Sequence, residues 1–179
     1  MIKRNIFCSI AFLAVAILMS GCVFEDPFVQ SLPSKDVELS RHLGTWYEIA
    51  RIPNWFEKDL VGVTATYTLK PNGEIEVRNE GNLKTLTGEK KTAIGRAWIP
   101  DLKQTGRLKV SFFFLVSADY IVMELYDNYR YALVGSGKDY LWILSRTPQM
   151  DETVYKGLVD KAGLLGYDVS RIEKVQQAK

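Results

Sequence analysis

The sequence has 179 residues, of which 23 are basic and 21 acidic, so its formal net charge is only +2. This nearly even balance of charges excludes the strongly basic face with which nucleic-acid-binding proteins neutralise phosphates. A single histidine and two cysteines offer no pair or cluster that could hold zinc, and no serine or cysteine has a recognisable histidine partner for nucleophilic catalysis. We therefore expect no enzymatic activity, no cofactor or metal, and no nucleic-acid partner.

Residues 1–21 have the organisation of a secretory signal peptide. Lys3 and Arg4 form a short basic head, residues 6–19 are apolar apart from one cysteine and one serine, and two small residues follow. The alternative is a retained anchor helix, but a membrane-spanning helix needs roughly 20 apolar residues and this run is short. Removal of the predicted signal takes away both basic residues of the head, which leaves a mature chain with a net charge near zero.

Met19-Ser20-Gly21-Cys22 resembles the bacterial lipobox, with methionine where leucine is usual. The resemblance implies that Cys22 becomes the first mature residue and carries acyl chains, which anchor strongly because each buried methylene contributes roughly 0.8 kcal/mol. Cys22 would then be the only cysteine left, so no disulfide can form within the chain. Val23 is not the aspartate that holds some lipoproteins at the inner membrane, so we expect lipid anchoring at the outer membrane, facing the periplasm.

Residues 22–34 contain two prolines and no regular period. They are predicted to be a lipidated tether between the membrane and a domain formed by residues 35–179. The alternative is an ordered strap that packs on the domain, because chain ends are often pinned in this way.

From residue 44 onward the sequence predicts a series of short strands. In residues 61–69 apolar side chains alternate with glycine and threonine, which is the period of a half-buried strand. A Lys-Pro-Asn-Gly turn and a second alternating run follow. Eight strands are predicted, at residues 46–52, 61–69, 74–78, 92–99, 107–114, 120–126, 131–134 and 141–145.

One segment has the period of a helix instead. Val154, Leu158 and Ala162 recur on one side of residues 151–163, and Asp151 is placed to accept hydrogen bonds from the first free amides. A last short strand is predicted at residues 171–175. Eight short strands can stack as two sheets or close into a barrel, and the strand pattern alone does not decide between these folds.

Three motifs resemble those of the lipocalin family. Gly44-Thr45-Trp46-Tyr47-Glu48-Ile49-Ala50 resembles the signature of its first strand, and Leu141-Trp142-Ile143-Leu144-Ser145-Arg146 resembles its last barrel strand. Between them the family has Asp-x-x-Tyr; here Tyr129 is kept, but Tyr126 stands at the aspartate position. The resemblance implies an all-β fold, an eight-stranded antiparallel up-and-down lipocalin barrel with one C-terminal α-helix packed outside.

The resemblance also implies roles for particular residues. Gly44, Trp46, Tyr129 and Arg146 would be structural, with the guanidinium of Arg146 lying across the indole of Trp46 at the closed end of the barrel. Together with the lipobox it points to the bacterial outer-membrane lipoproteins of this family, and it implies storage or transport of fatty acids or lysophospholipids in the cell envelope. The alternative is a barrel filled by side chains, in a lipoprotein that serves as a protein-interaction or assembly factor. The sequence does not determine the oligomeric state, and a dimer is among the states that it allows.

Ligand-binding residues are predicted from the strand phases and from the loop after the first strand. If Trp46 points inward, alternation places Glu48 and Ala50 on the same face. Trp55 and Phe56 are expected at the mouth of the barrel, against an acyl chain or a membrane surface. The predicted ligand-binding residues are Trp55, Phe56, Val63, Ala65, Tyr67, Ile75, Val77, Val110, Phe112, Phe114, Tyr140 and Trp142.

Overall fold

The computed structural model describes residues 26–113 and 116–179. Within these residues it contains helices α1 (Pro27–Ser31), α2 (Leu39–His42) and α3 (Glu152–Leu164), and short 3₁₀ helices at Trp55–Glu57 and Val169–Arg171. The strands are β1 (Gly44–Arg51), β2 (Leu60–Leu69), β3 (Ile75–Leu83), β4 (Lys90–Trp98), β5 (Arg107–Phe113), β6 (Val116–Tyr126), β7 (Tyr131–Gly135), β8 (Leu141–Ser145) and β9 (Glu173–Lys174). The predicted signal peptide, Cys22 and Phe114 lie outside the described residues.

Strands β1 to β8 form a closed antiparallel barrel. Each strand pairs with the next along the chain, and β8 pairs back with β1, where Tyr47 lies opposite Ser145. The predicted eight-stranded up-and-down barrel is therefore confirmed. Closure removes the free strand edges that an open sheet would expose.

The seam between β1 and β2 is completed by the C-terminal segment. The two strands pair directly only over the first half of β1, and β9 pairs with Ala50 and Arg51 in the second half. The Gln177 side-chain amide donates to the carbonyl oxygens of Glu48 and Val63, at 2.8 and 2.9 Å. Residues 173–177 thus act as a partial ninth strand that bridges the gap.

The barrel has one covered end and one open end. Helix α2 and the chain before β1 lie across the covered end, where Leu39 and Leu43 pack against the apolar interior. We call this the closed end. The connections β1–β2, β3–β4 and β7–β8 lie at the opposite end, which we call the mouth.

Two apolar cores stabilise the fold. The inner core fills the closed half of the barrel, and the outer core lies between the barrel wall, α1 and α3. The inner core contains Val37, Trp46, Tyr67, Ile75, Val77, Ala97, Leu108, Val122, Ala132, Val134 and Leu144. The outer core contains Val29, Leu32, Ile49, Ala50, Ile52, Ile121, Met123, Tyr131, Leu133, Leu141, Ile143, Leu158, Ala162 and Tyr167.

Helix α3 packs on the outside of the barrel, as predicted. The Asp151 carboxylate caps its first turn by accepting from the amides of Thr153 and Val154, at 2.8 and 3.2 Å. These backbone hydrogen bonds lower the pKa of Asp151, because they favour its ionised form. Leu158 and Ala162 are the buried residues of the helix. Among the helices of the described residues, none is long and apolar enough to cross a membrane.

Residues 26–37 form an ordered strap along the barrel wall. Val29 and Leu32 are buried, and the Arg107 guanidinium donates to the carbonyl oxygens of both. The Val37 amide donates to Thr105 Oγ1 at 2.7 Å. Over residues 26–34 the chain therefore packs as the strap alternative describes, rather than hanging free as a tether.

Candidate ligand site

The closed end is built around Trp46, which is fully buried. The guanidinium carbon of Arg146 lies 3.7 Å from the centroid of the Trp46 ring. Arg146 also donates to the carbonyl oxygens of Arg41 and Thr45, at 2.6 and 2.9 Å. Gly44 begins β1 at a φ of +87°, a conformation that residues with a Cβ rarely adopt. Arg146 therefore joins Trp46 at the closed end of the barrel to the chain segment that crosses this end.

The middle motif keeps its tyrosine but not its aspartate. The Tyr129 hydroxyl accepts from the Glu38 amide at 2.9 Å, and the Arg41 guanidinium lies over its ring. Tyr126, at the aspartate position, is 54% exposed and stacks on Tyr131. The neighbouring Asp127 pairs with Arg130 at 3.0 Å. The Asp127 carboxylate therefore forms its ion pair within the hairpin of β6 and β7.

A polar cluster of His42, Tyr67 and Tyr120 lies next to Trp46 at the closed end. The Tyr67 hydroxyl donates to the Tyr120 hydroxyl at 2.9 Å, and the Tyr120 oxygen lies 3.5 Å from His42 Nε2. Burial, together with the charge of Arg146, lowers the pKa of His42 to about 4. Burial raises the pKa of Tyr67 to about 12 and that of Tyr120 well above its ordinary value. The cluster is thus uncharged at neutral pH. Sequence reasoning missed Tyr120 as a candidate and left His42 without a site.

The predicted inner wall residues on β2, β3 and β5 share one face of the sheet. Tyr67 lies opposite Val77, and Val110 lies opposite Ala97 of the inner core. Ala65, Val110 and Phe112 pack against that core while keeping partial exposure. Val63 is buried at the bulged part of β2. Ile75 is buried opposite Leu69.

Toward the mouth the inner face becomes accessible. The register of β3 and β4 continues without interruption from Val77 opposite Gly95 to Asn79 opposite Ala93. Facing residues of an antiparallel pair lie on the same side of the sheet, so Ala93 belongs to the inner face. Ala93 is nevertheless exposed, whereas Ile75 and Val77 near the closed end are buried. Beside β3 and β4 the mouth half of the barrel is therefore less filled than the closed half, whereas Val63 and Val134 are buried near the mouth ends of β2 and β7.

A column of aromatic rings leads from the mouth surface to the inner wall. Phe56 stacks on Tyr140 with ring centroids 6.0 Å apart, and Tyr140 stacks on Trp142 at 6.2 Å. Trp55, which is 73% exposed, meets the edge of Phe56. The outer end of the column is thus open to solvent, and its inner end packs against the inner core.

Beside this column lies a buried charged cluster that the predicted site omitted. Arg51 Nη1 donates to Glu48 Oε1 at 2.9 Å, and Trp142 Nε1 donates to Glu57 Oε2 at 3.0 Å. Burial, and then the nearby Glu57 carboxylate, raise the pKa of Glu48 well above its usual range. Asn54 accepts from the Glu57 amide and so fixes the 3₁₀ turn that carries Phe56. The cluster holds the mouth loop to the barrel wall.

The prediction that Ala50 shares the face of Trp46 is wrong. Strand β1 has a bulge, because Glu48 lies opposite Leu144 whereas Ala50 lies opposite Ile143. One additional residue reverses the alternation, so Ala50 packs in the outer core and Arg51 takes the face of Trp142.

Two surface pockets lie outside the barrel, near the C-terminal segment. One has a volume of about 360 Å³ and is bordered by Arg51, Leu60 and Glu173 among others. The other, of about 240 Å³, lies between the start of α3 and residues 174–179. Neither is lined by the aromatic column or by any of the predicted ligand-binding residues. Among residues 26–113 and 116–179 no group of three histidine, cysteine or acidic side chains is arranged to hold a metal.

Comparison with known proteins gives the family. The lipocalin-like domain profile matches residues 37–177. The chain is 39% identical over 164 residues to outer membrane lipoprotein Blc of Vibrio cholerae, covering 90% of this chain and 94% of that protein. It is 43% identical over 155 residues to temperature-induced lipocalin-1 of Arabidopsis thaliana, covering 80% and 81%.

The barrel also resembles solved structures. Insecticyanin from the tobacco hornworm Manduca sexta superposes with a TM-score of 0.66 at 23% identity, covering 83% of this chain and 85% of that one. At this identity the likeness concerns the fold alone. The closed barrel, its outer helix and the matching profile agree, and the chain belongs to the lipocalin-like family.

Proposed function

We propose that this protein is a lipid-anchored lipocalin that takes a fatty acid or a lysophospholipid into its barrel and stores or transports it in the cell envelope. The similarity to proteins named outer membrane lipoprotein places the chain at the outer membrane. Its lipidation at Cys22 and its periplasmic orientation are part of the proposal. Membership of a family of binding proteins supports a role in binding rather than catalysis.

The observation that carries the proposal is the change in filling along the barrel. The closed half is filled by the inner core, whereas Ala93 on the inner face of the mouth half is exposed. An acyl chain in this half would contact Ala65, Val110 and Phe112, which pack on the core and keep partial exposure. Each methylene buried there would contribute roughly 0.8 kcal/mol before the cost of ordering the chain.

We further propose where the ligand enters. The predicted ligand-binding residues Trp55, Phe56, Tyr140 and Trp142 form the aromatic column, or its exposed edge, beside the mouth. An acyl chain that follows this column would pass the Glu48–Arg51 ion pair and the Glu57 carboxylate, which accepts from the Trp142 indole, before it reaches Val63 and Tyr67. The uncharged His42–Tyr67–Tyr120 cluster would end the apolar path.

The test fills the open half of the barrel with a side chain. We expect Ala93→Trp to abolish one-to-one adducts with lysophosphatidylethanolamine and palmitic acid in native mass spectrometry of the delipidated protein. The matched control is Ile94→Trp, because Ile94 is the next residue and 52% exposed on the opposite face of β4. Circular dichroism would check that both variants fold.

Two results would contradict the proposal. Unchanged adducts in Ala93→Trp would place the ligand elsewhere. A folded wild-type protein that forms no adduct would favour the filled barrel and a search for protein partners on the surface.

A further inference from the structure

Two buried carboxyl groups of the barrel have a single basic partner. Glu48 on β1 and Glu57 on the loop between β1 and β2 are 4% and 6% exposed. Arg51 donates from Nη1 to Glu48 Oε1 at 2.9 Å. Its charge is also shared with Glu173, whose Oε1 lies 3.5 Å from Arg51 Nε. The two buried carboxyl groups therefore exceed the one guanidinium that could neutralise them.

The carboxylate of Glu57 accepts from uncharged donors. Its Oε2 accepts from the Trp142 indole at 3.0 Å and from the Asn54 side-chain amide. These two donors need only an acceptor oxygen, which a neutral glutamine would also supply. A buried charge is costly unless an opposite charge lies beside it. The charge of Glu57 is thus more than the attachment of the loop to the barrel wall requires.

A proton compensates the second charge when no ligand is bound. Burial, and then the charge of Glu57, raise the pKa of Glu48 well above its usual range, and a hydrogen bond with Glu57 adds to this rise. Arg51 acts in the opposite direction but does not cancel the shift. Tyr67 of β2, which also senses both glutamates, stays uncharged because its pKa is about 12. Glu48 and Glu57 therefore hold one proton between them at neutral pH.

The pair of glutamates faces the space that we propose for the ligand. Glu48 lies opposite Leu144, a residue of the inner core, and facing residues of an antiparallel pair share one side of the sheet. The charges of both glutamates contribute to the raised pKa of Tyr67, which lines the same interior. On the far side of the barrel, Ala93 is exposed on the inner face of β4. A ligand in the mouth half would therefore lie between β4 and the two glutamates.

We propose that Glu48 and Glu57 form a subsite for an ammonium group, and that the barrel prefers single-chain lipids with a primary amine to those that end in a carboxylate. The inference rests on the proposed lipid-binding function. An ammonium group donates three hydrogen bonds and supplies the second positive charge that the cluster lacks. As it binds, the proton held by the two glutamates leaves to the solvent, so the net charge of the site does not change. A fatty acid would instead bring a third carboxylate close to two others, which like-charge repulsion disfavours.

The test compares tetradecylamine, myristic acid and tetradecanol, which share one chain length and differ only in the end group. Isothermal titration calorimetry would use the mature protein freed of bound lipid. We expect the dissociation constant of the amine to be lower than those of the acid and the alcohol by about tenfold or more.

Proton release gives a second measurement, which a purely structural role of the two glutamates would not affect. Titrations at neutral pH in two buffers with different ionisation enthalpies give the number of protons exchanged on binding. The wild-type protein should release about one proton for each amine bound and none for the alcohol.

The variant Glu57→Gln keeps an acceptor for the Trp142 indole and removes the charge. It should bind the amine and the alcohol with similar affinity and release no proton. The matched control is Glu80→Gln, because Glu80 carries the same charge on the outer face of β3, where it pairs with Lys90. This control should keep the preference of the wild-type protein. Glu48→Gln should also lose the preference, and it serves if circular dichroism shows that Glu57→Gln does not fold.

The outcomes separate this inference from the proposed function. Equal affinities for the three ligands in the wild-type protein, or a preference for the amine that survives in both glutamine variants, would overturn the ammonium subsite and leave lipid binding intact. Amine binding without release of a proton would overturn it as well. A folded wild-type protein that binds none of the three ligands would contradict the lipid-binding function itself, and the subsite with it.

Discussion

The single histidine allows one prediction to be worked out in detail. His42 is 1% exposed, and its ring packs against Trp46, Tyr67 and Tyr120. The nearest charge is that of Arg146, and like burial it disfavours the imidazolium form. The pKa of His42 therefore falls from 6.5 to about 4 on folding.

The sign of the effect follows from proton binding. Below pH 6.5 the unfolded chain protonates His42, while the folded protein does not until about pH 4. The contribution of His42 to the free energy of unfolding is complete above 6.5, its pKa in the unfolded chain, and is lost as the pH falls from 6.5 to about 4. Between about pH 7.5 and about pH 4.5 the loss from this residue is about 2.5 kcal/mol.

The assay compares the wild-type protein with His42→Phe. Urea unfolding at a series of pH values gives the free energy of unfolding of each, and the difference between the two curves isolates His42 from Glu48, whose raised pKa acts in the opposite direction. Any constant cost of the substitution shifts the difference without changing its slope. Because the sequence has one histidine, its proton NMR signal can be followed directly and should not titrate above about pH 5.

Parallel stability curves for the two proteins would refute this reasoning. So would an NMR titration near the ordinary histidine value. Either result would mean that water reaches the His42 imidazole and that the closed end of the barrel does not exclude solvent.

The remaining predictions concern local backbone structure. Asp151→Ala should lower the free energy of unfolding by about 1 kcal/mol, because α3 loses its N-cap. Asp160→Ala, on the exposed face of the same helix, should change it much less, and urea unfolding measures both variants. Gly95→Ala should destabilise the barrel by more than about 1 kcal/mol, since its Cβ would lie 2.7 Å from the Phe112 ring, whereas Gly157→Ala in open space on α3 should stabilise by up to about 1 kcal/mol. The reverse order of melting temperatures for the two glycine variants would contradict the packing described for the inner wall.

Much of the fold could be predicted because local pattern and long-range packing agree. Alternation in β2 and the helical period of α3 both correspond to faces that the structure buries. Strand β3 is longer than predicted, because Glu80 and Asn82 have weak strand propensity but pair with both neighbouring strands, and Gly81 between them pairs with Lys91 of β4. Here pairing outweighs propensity, which a single sequence does not reveal.

The candidate site was harder to predict where backbone irregularity decides it. The bulge in β1 moves Ala50 outward and brings Arg51 to the inner face, yet no glycine or proline in residues 48–50 signals it. Glu57 follows Asn54 at the spacing of a capping pair, which could have indicated the turn but not that the carboxylate is buried. The burial of His42 depends on a helix that crosses the end of the barrel, and four residues carry too little pattern to predict it.

The seam closed by residues 173–177 has a consequence for the order of events during biosynthesis. Gly62 donates its amide to the Gln176 carbonyl, and Val175 donates to Ile49, so strands made early stay incomplete until nearly the whole chain has been synthesised. Contacts between such distant parts of a chain form slowly, because a long loop must close before they are made. The seam is therefore the last part of the barrel to close, and a chain that ended before residue 173 would leave β1 and β2 joined over only half of β1.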